Sequence, residues 1–219
     1  GLWRPHGGGA ALPEEALLAV SEPAAPRGQP VVIGHYRSGY ILAEDDEGLL
    51  IVDQHAAHER ILFEQLSDAQ AGGGGPLQSL LFPRTVQAPS ALRGDLESLA
   101  SDLNGLGFET EPFGDGTLVV RGMPAILAES DPESLVLGIL SEAPGPGGAG
   151  EGLESRRRRM LATAACHAAV KVPAHLTGEK IAWILARLLE CRSPLRCPHG
   201  RPTLLRWGHR ELERRFGRP

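Results

Sequence analysis

The spacing of apolar and polar positions along this chain predicts its elements. Residues 31–43 are mostly apolar or aromatic and are broken at Ser38 and Gly39, which predicts a pair of strands. Asp45-Asp46-Glu47-Gly48 is turn chemistry, and Leu49, Leu50, Ile51 and Val52 form a short buried strand ending at Asp53. Those aliphatic residues can serve as core or as a dimer surface, and the pattern does not separate the two. A helix follows over about residues 54–66, and Gly72 to Gly75 interrupts it. Leu92, Leu96, Leu99, Leu103 and Leu106 recur at steps of three and four, the period of an amphipathic helix. Residues 108–113 and 117–121 read as strands. Residues 131–141 read as a short helix with Asp131 near its cap. A second Gly/Pro-rich break covers residues 143–152. Residues 155–171 then read as a helix, Ala-rich in its second half. Thr177 is a good cap for a helix with Ile181, Ile184, Leu185, Leu188 and Leu189 as its apolar positions. A loop with Pro194, Pro198 and Pro202 leads to a charged helix over about residues 208–216.

Residues 1–29, rich in Gly, Pro and Ala, read as a linker with a short helix around residues 14–20. The segment between the two glycine-rich breaks reads as an inserted subdomain of helix, strands and helix. At 219 residues and 42% hydrophobic, the chain can bury a core in one domain or two small ones. No apolar run approaches the roughly 20 residues of a membrane helix, and no secretory signal is visible. Three cysteines are too few and too odd for a disulfide scaffold, which favours a reducing compartment with buried or metal-binding thiols. The net charge of -5 is wrong for a protein that grips DNA alone. Action on DNA would need help from metal ions, a partner or another domain.

Three constellations carry chemistry. In DQHAAHERILFE, residues 53–64, Asp53 stands where a strand gives way to a helix, and His55 and Glu59 project from one helix face. Together they suit a divalent metal, or else a capped helix start with a surface His and Glu. In CPHGRP, residues 197–202, Cys197 and His199 lie on a loop stiffened by two prolines. Thiolate and imidazole suit Zn²⁺, and a turn with a buried thiol is the bland alternative. In ACHAAVKV, residues 165–172, Cys166 and His167 face different ways on a helix, so one at most meets a site easily. Carboxylates favour Mn²⁺ or Mg²⁺ and thiolates Zn²⁺, so the composition does not choose between a structural zinc and a catalytic pair.

These segments resemble the endonuclease region of the MutL mismatch repair family. Asp53, Gln54, His55, Ala56, Glu59 and Glu64 meet every specified position of its DQHA-containing motif. ACHAAVK is similar to its Ala-Cys-His/Arg helix motif, CPHGRP matches its loop motif, and Phe216-Gly217-Arg218 fits its Phe-x-Arg ending. The motifs occur in family order from Asp53 to Arg218. Family members that lack nicking activity usually lack the first motif.

The resemblance implies an α/β (α+β) fold. Residues 30–72 and 153–219 would form a dimerisation subdomain and residues 73–152 an external, regulatory one. It implies a metal-dependent endonuclease that nicks duplex DNA, with Asp53, His55 and Glu59 catalytic. Asp53, His55, Glu59, Cys166, Cys197 and His199 would hold or surround one or two ions, Zn²⁺ and/or Mn²⁺ or else Mg²⁺. Cys166 is open between ligand and tuning residue. Glu64 reads as supporting structure, His58 as no ligand, and Arg201 as a loop anchor or phosphate contact. QSLLFP resembles the family's motif for a replication sliding clamp, through Gln78, Leu81, Phe82 and Pro83; the alternative is a strand. The implied partners are a second copy, duplex DNA, the clamp and, through the full-length protein, the mismatch recognition protein MutS, in a bacterial cytoplasm at the nucleoid. No phosphate loop for ATP is visible. Arg156 to Arg159 could touch DNA, but a solvated helix start is the preferred reading. Two other readings stay open: a dimerisation module whose Cys191, Cys197 and His199 hold a structural zinc, and a clamp-binding adaptor.

Overall fold

The computed structural model describes residues 30–141 and 152–218. The linker and its short helix, and most of the second glycine-rich break, lie outside the described residues. The elements run β1 (Val31–Tyr36), β2 (Tyr40–Asp45), β3 (Gly48–Asp53), α1 (Gln54–Ala71), β4 (Leu77–Gln87), α2 (Leu96–Gly105), β5 (Glu109–Gly114), β6 (Thr117–Pro124), α3 (Pro132–Ser141), α4 (Leu153–Ala168), α5 (Gly178–Glu190), β7 (Leu204–Gly208) and α6 (His209–Arg215). The fold is mixed α+β, with two antiparallel sheets ordered β1-β2-β3-β7 and β4-β6-β5.

In the first sheet alternation decides the faces. Leu50 and Val52 of β3 are fully buried, as are their neighbours Ile41 and Ala43. They pack against Ala57 and Ile61 of α1 and the apolar stripe of α5, Ile181, Ile184, Leu185 and Leu188. Leu49 and Ile51 point to the opposite face and are half-buried. The aliphatic run is therefore core at alternate positions only. Gly48, at φ +148°, has the Trp207 carbonyl where a Cβ would stand, so the β3–β7 pairing requires glycine there.

The second core joins the other sheet to four helices. Leu62, Phe63 and Leu66 of α1 meet Val86, Leu118 and Val120 of the sheet, Leu103 of α2, Leu135 and Ile139 of α3, and Met160 of α4. Helix α1 thus belongs to both cores, one face after the other along its length. Each buried leucine contributes about 1.5–3 kcal/mol.

Several boundaries differ from the pattern reading. Helix α1 continues to Ala71, because only at Gly72 does the chain turn back its N–H to Asp68 and Gln70. The leucine repeat starts as a 3₁₀ turn, Ser90–Asp95, and becomes α-helical where Asp95 caps Ser98. Helix α4 stops at Ala168 instead of running to residue 171. The five-residue strand β7 has no alternation to announce it and was missed. The expected caps Asp131 and Thr177 both accept a backbone N–H, from Ser134 and Lys180.

Candidate metal centre

The start of α1 is held from three sides. Asp53 Oδ1 accepts from the Ala56 N–H at 2.9 Å, a helix N-cap. The Asp53 N–H donates to Thr203 and the Gln54 N–H to Gly39, so the loop before β7 and the β1–β2 hairpin both fix where the helix begins. One turn on, His55 and Glu59 share a face, as their spacing required.

Two other segments bring ligands to that face. Helix α4 delivers Cys166, whose Sγ lies 3.8 Å from His55 Nε2. The CPHGRP loop delivers Cys197 and His199. It is closed by Cys197 N–H to Arg201 O at 2.8 Å and Gly200 N–H to Cys197 O at 2.9 Å. Helix α1 grips this region along its length. Glu59 meets His199 Nδ1 through one oxygen and the Arg201 guanidinium, at 2.8 Å, through the other. Arg60 Nε donates to Arg196 O at 2.5 Å. Glu64 accepts from the N–H groups of Arg192 and Ser193, at 2.7 and 3.1 Å. The second Glu of the motif therefore anchors the chain leaving α5, the supporting role read from its spacing.

Two donor triads result. One donor atom each of His55, Glu59 and Cys166 lie within 4.8 Å of one another, and so do those of Glu59, Cys197 and His199. Glu59 belongs to both and its side chain is fully buried. Three protein donors of carboxylate, imidazole and sulfur type match what a catalytic Zn²⁺ site uses, and the shared carboxylate also suits Mn²⁺. The residues present fit such an ion. Burial, then the Glu59 charge, pushes the Cys166 thiol up. The hydrogen bond to Cys197, then that to Glu59, raises the Arg201 guanidinium further.

Of the six metal positions expected, five converge. Asp53 is in neither triad, and its Oδ1 caps the helix. Cys191 is in neither triad: it ends α5, its Sγ faces Arg187 O at 3.4 Å, and burial pushes its thiol up to about 12. The grouping of Cys191 with Cys197 and His199 in a structural zinc site does not form among the described residues. His167 points away from the centre and packs on Gly138.

Sequence reasoning missed two side chains behind the centre. Gln54 is fully buried and ties α1 to Ser38 O, Ala174 O and His35. His58 is buried, accepts from the Val170 N–H and stands edge-on to Trp183. Burial, then Lys180, lowers its pKa to about 4, so it is neutral at ordinary pH. The polar character of residues 54 and 58 in a helix with apolar neighbours was the available signal.

Elsewhere, the arginine run lies in the first turns of α4 with Arg157, Arg158 and Arg159 exposed and Arg156 half-buried, a solvated helix start that also makes contacts within the chain. Arg156 pairs with Asp102, Arg157 donates to Gly105 O at 2.8 Å, and Arg158 lies over the Phe63 ring. Gln78 to Pro83 lie within β4, interrupted by a bulge. Ser79 pairs with Gly122 and Arg84 with Val120, so residues 80–83 stand opposite Arg121 alone. That extrusion leaves Leu81 88% and Phe82 73% exposed. No described helix is long and apolar enough to cross a membrane.

The family described as MutL C terminal dimerisation domain matches residues 33–176. The chain is 42% identical over 193 residues to the DNA mismatch repair protein MutL of Symbiobacterium thermophilum, covering 85% of this chain and 30% of that protein. It is 39% identical over 186 residues to MutL of Koribacter versatilis, with 85% and 29% covered, and 37% over 206 residues to MutL of Solibacter usitatus, with 94% and 30% covered. The chain spans about 30% of the length of these curated relatives. With the match covering most of β1 through the end of α4 and beyond, the chain belongs to the MutL family of DNA mismatch repair proteins and carries its C-terminal dimerisation domain.

Proposed function

We propose that this chain is a metal-dependent endonuclease that nicks duplex DNA as part of a homodimer. The observation that carries the reading is Glu59, a fully buried carboxylate common to two donor triads. Its charge is paired with Arg201 and His199, but a buried ion pair is no more stabilising than apolar packing, and a fold with only structural needs has cheaper side chains for that place. Glu59, His55 and Cys166 would hold one ion, and Glu59, Cys197 and His199 another; Zn²⁺ and Mn²⁺ suit these donors better than Mg²⁺, which disfavours sulfur. A bound ion would supply Lewis-acid charge for the phosphodiester and lower the pKa of water. The protein's own part is positional. Arg201 holds the Glu59 carboxylate, Glu64 and Arg60 hold the loop, and Asp53 fixes the helix start and keeps one carboxylate oxygen beyond its capping bond.

A second copy of the chain fits the sheet face opposite the helices. Tyr40, Leu42, Leu49, Ile51 and Leu205 share it by register, and beside it β1 exposes Val31, Ile33 and Tyr36. Arg215 lies over Trp207 at the β7 end, whereas the β1 end has no such cover among the described residues. The extruded Leu81, Phe82 and Pro83 fit the pockets of a sliding clamp, which would offset the acidic net charge by holding the domain on DNA. MutS would act through the full-length protein.

Cobalt substitution tests the metal assignment. The thiolate-to-Co²⁺ absorption should fall in Cys166→Ser and in Cys197→Ser and stay in Cys191→Ser. Absorption that depends on Cys191 instead would favour the structural-zinc reading.

A further inference from the structure

Val170 follows the end of α4, and both its main-chain polar groups go to histidines of α1. Its N–H donates to His58 Nδ1 at 3.0 Å and its carbonyl accepts from His55 Nδ1 at 3.0 Å. The two bonds run in opposite senses. An amide N–H can only donate, so His58 Nδ1 must be bare and its proton sits on Nε2. A carbonyl can only accept, so His55 Nδ1 must carry the proton. His55 Nε2 then keeps its lone pair, on the side where Cys166 Sγ stands 3.8 Å away and Glu59 lies in the same triad. Farther along the segment, Ala174 O accepts from the Gln54 amide at 3.3 Å and the Ala174 N–H donates to Ser38 O at 3.0 Å. The segment is thus fixed at both ends to the first turns of α1 and to the hairpin beside it.

We propose that His58 is a positioning residue that, through Val170, sets the tautomer of His55 and so presents Nε2 as a ligand atom. The metal role of His55 rests on the function proposed above; the tautomer itself does not. Losing His58 leaves the half-buried Val170 N–H without its acceptor, the segment shifts to satisfy it, and His55 loses the acceptor that selects its tautomer.

The test is imidazole nitrogen NMR on the metal-free, chelator-treated chain, followed by Zn²⁺ titration. Wild type should show His55 protonated at Nδ1 and His58 at Nε2. His58→Phe should give both tautomers of His55 and weaken Zn²⁺ binding roughly 10- to 100-fold. His58→Asn, whose Oδ1 can accept near the place of Nδ1, should restore both. A wild-type His55 protonated at Nε2 would overturn the proposal, and so would a His58→Asn variant with a mixed His55 tautomer. The wild-type and Asn spectra decide the matter if the Phe variant fails to fold. A chain with the stated tautomers that binds no Zn²⁺ would support the tautomer assignment and defeat the metal reading.

Discussion

Helices α1 and α5 pack side by side against the same sheet, yet they bury different kinds of residue. Helix α5 buries Ile181, Ile184, Leu185 and Leu188 and turns its charges outward. Helix α1 buries Gln54, His58, Glu59, Arg60 and Glu64 among its apolar residues. Among the described residues, the other buried polar side chains are threonines: Thr110, Thr117, Thr163 and Thr203. Among the described residues buried as a whole, every histidine, acid and arginine therefore lies on one helix, within the motif segment, while the Cys197 thiol and the side chains of the Asp45–Arg206 pair are buried elsewhere. Apolar burial stabilises without needing partners, while each buried polar group must be matched. Helix α5 shows what the sheet needs for stability. Helix α1 shows what the fold gives up to hold a charged centre, and how it compensates, with partners drawn from three loops.

The two helices should fail differently. Leu185→Ala in α5 should cost about 3 kcal/mol of stability, read by urea denaturation, and leave Zn²⁺ affinity unchanged. Glu64→Ala in α1 should cost about 2 kcal/mol by leaving two backbone N–H groups unpaired. It should also lower Zn²⁺ affinity roughly tenfold, because the loop carrying Cys197 and His199 loses an anchor. If Glu64→Ala shifts stability alone, α1 and α5 are alike after all.

Acid sharpens the contrast. His58 titrates at about 4 in the fold against 6.5 in the unfolded chain, so between these values the unfolded state binds more protons. The neutral-pH stability is present above 6.5 and falls as pH drops toward 4. By pH 5 this single group accounts for roughly 2 kcal/mol. Metal-free wild type should lose that much more than His58→Asn between pH 7 and pH 5 in denaturation midpoints converted to free energy, and equal losses would remove His58 as the cause. The smallest stability effect belongs to the extruded loop. Leu81→Ala with Phe82→Ala should change stability by less than about 0.5 kcal/mol, as for other exposed sites, yet abolish any stimulation of nicking by the clamp.

Much of this was legible in the residues. The i, i+4 step put His55 and Glu59 together, the capping chemistry of Asp131 and Thr177 marked two helix starts, and the leucine repeat marked α2. What was not legible came from pairing across the chain. β7 has five residues and gains its identity from β3, and the bulge in β4 exists only against β6. By spacing alone Cys166 and Cys191 look alike; the motif resemblance separates them, and the directions of α4 and α5 put one thiol at the centre and the other at a helix end. Asp53 sits where an N-cap and a metal ligand are equally placed in sequence, and the structure shows the cap through Oδ1.

If the Glu59-centred cluster cleaves DNA as proposed, it should nick supercoiled plasmid in Mn²⁺. The chain, with sliding clamp, should convert supercoiled to open-circular plasmid. Glu59→Gln should slow this roughly 10³-fold. Asp53→Asn, which can keep the helix cap, should also lose nicking. Nicking by Glu59→Gln at the wild-type rate would show that the cluster does not carry out the cleavage.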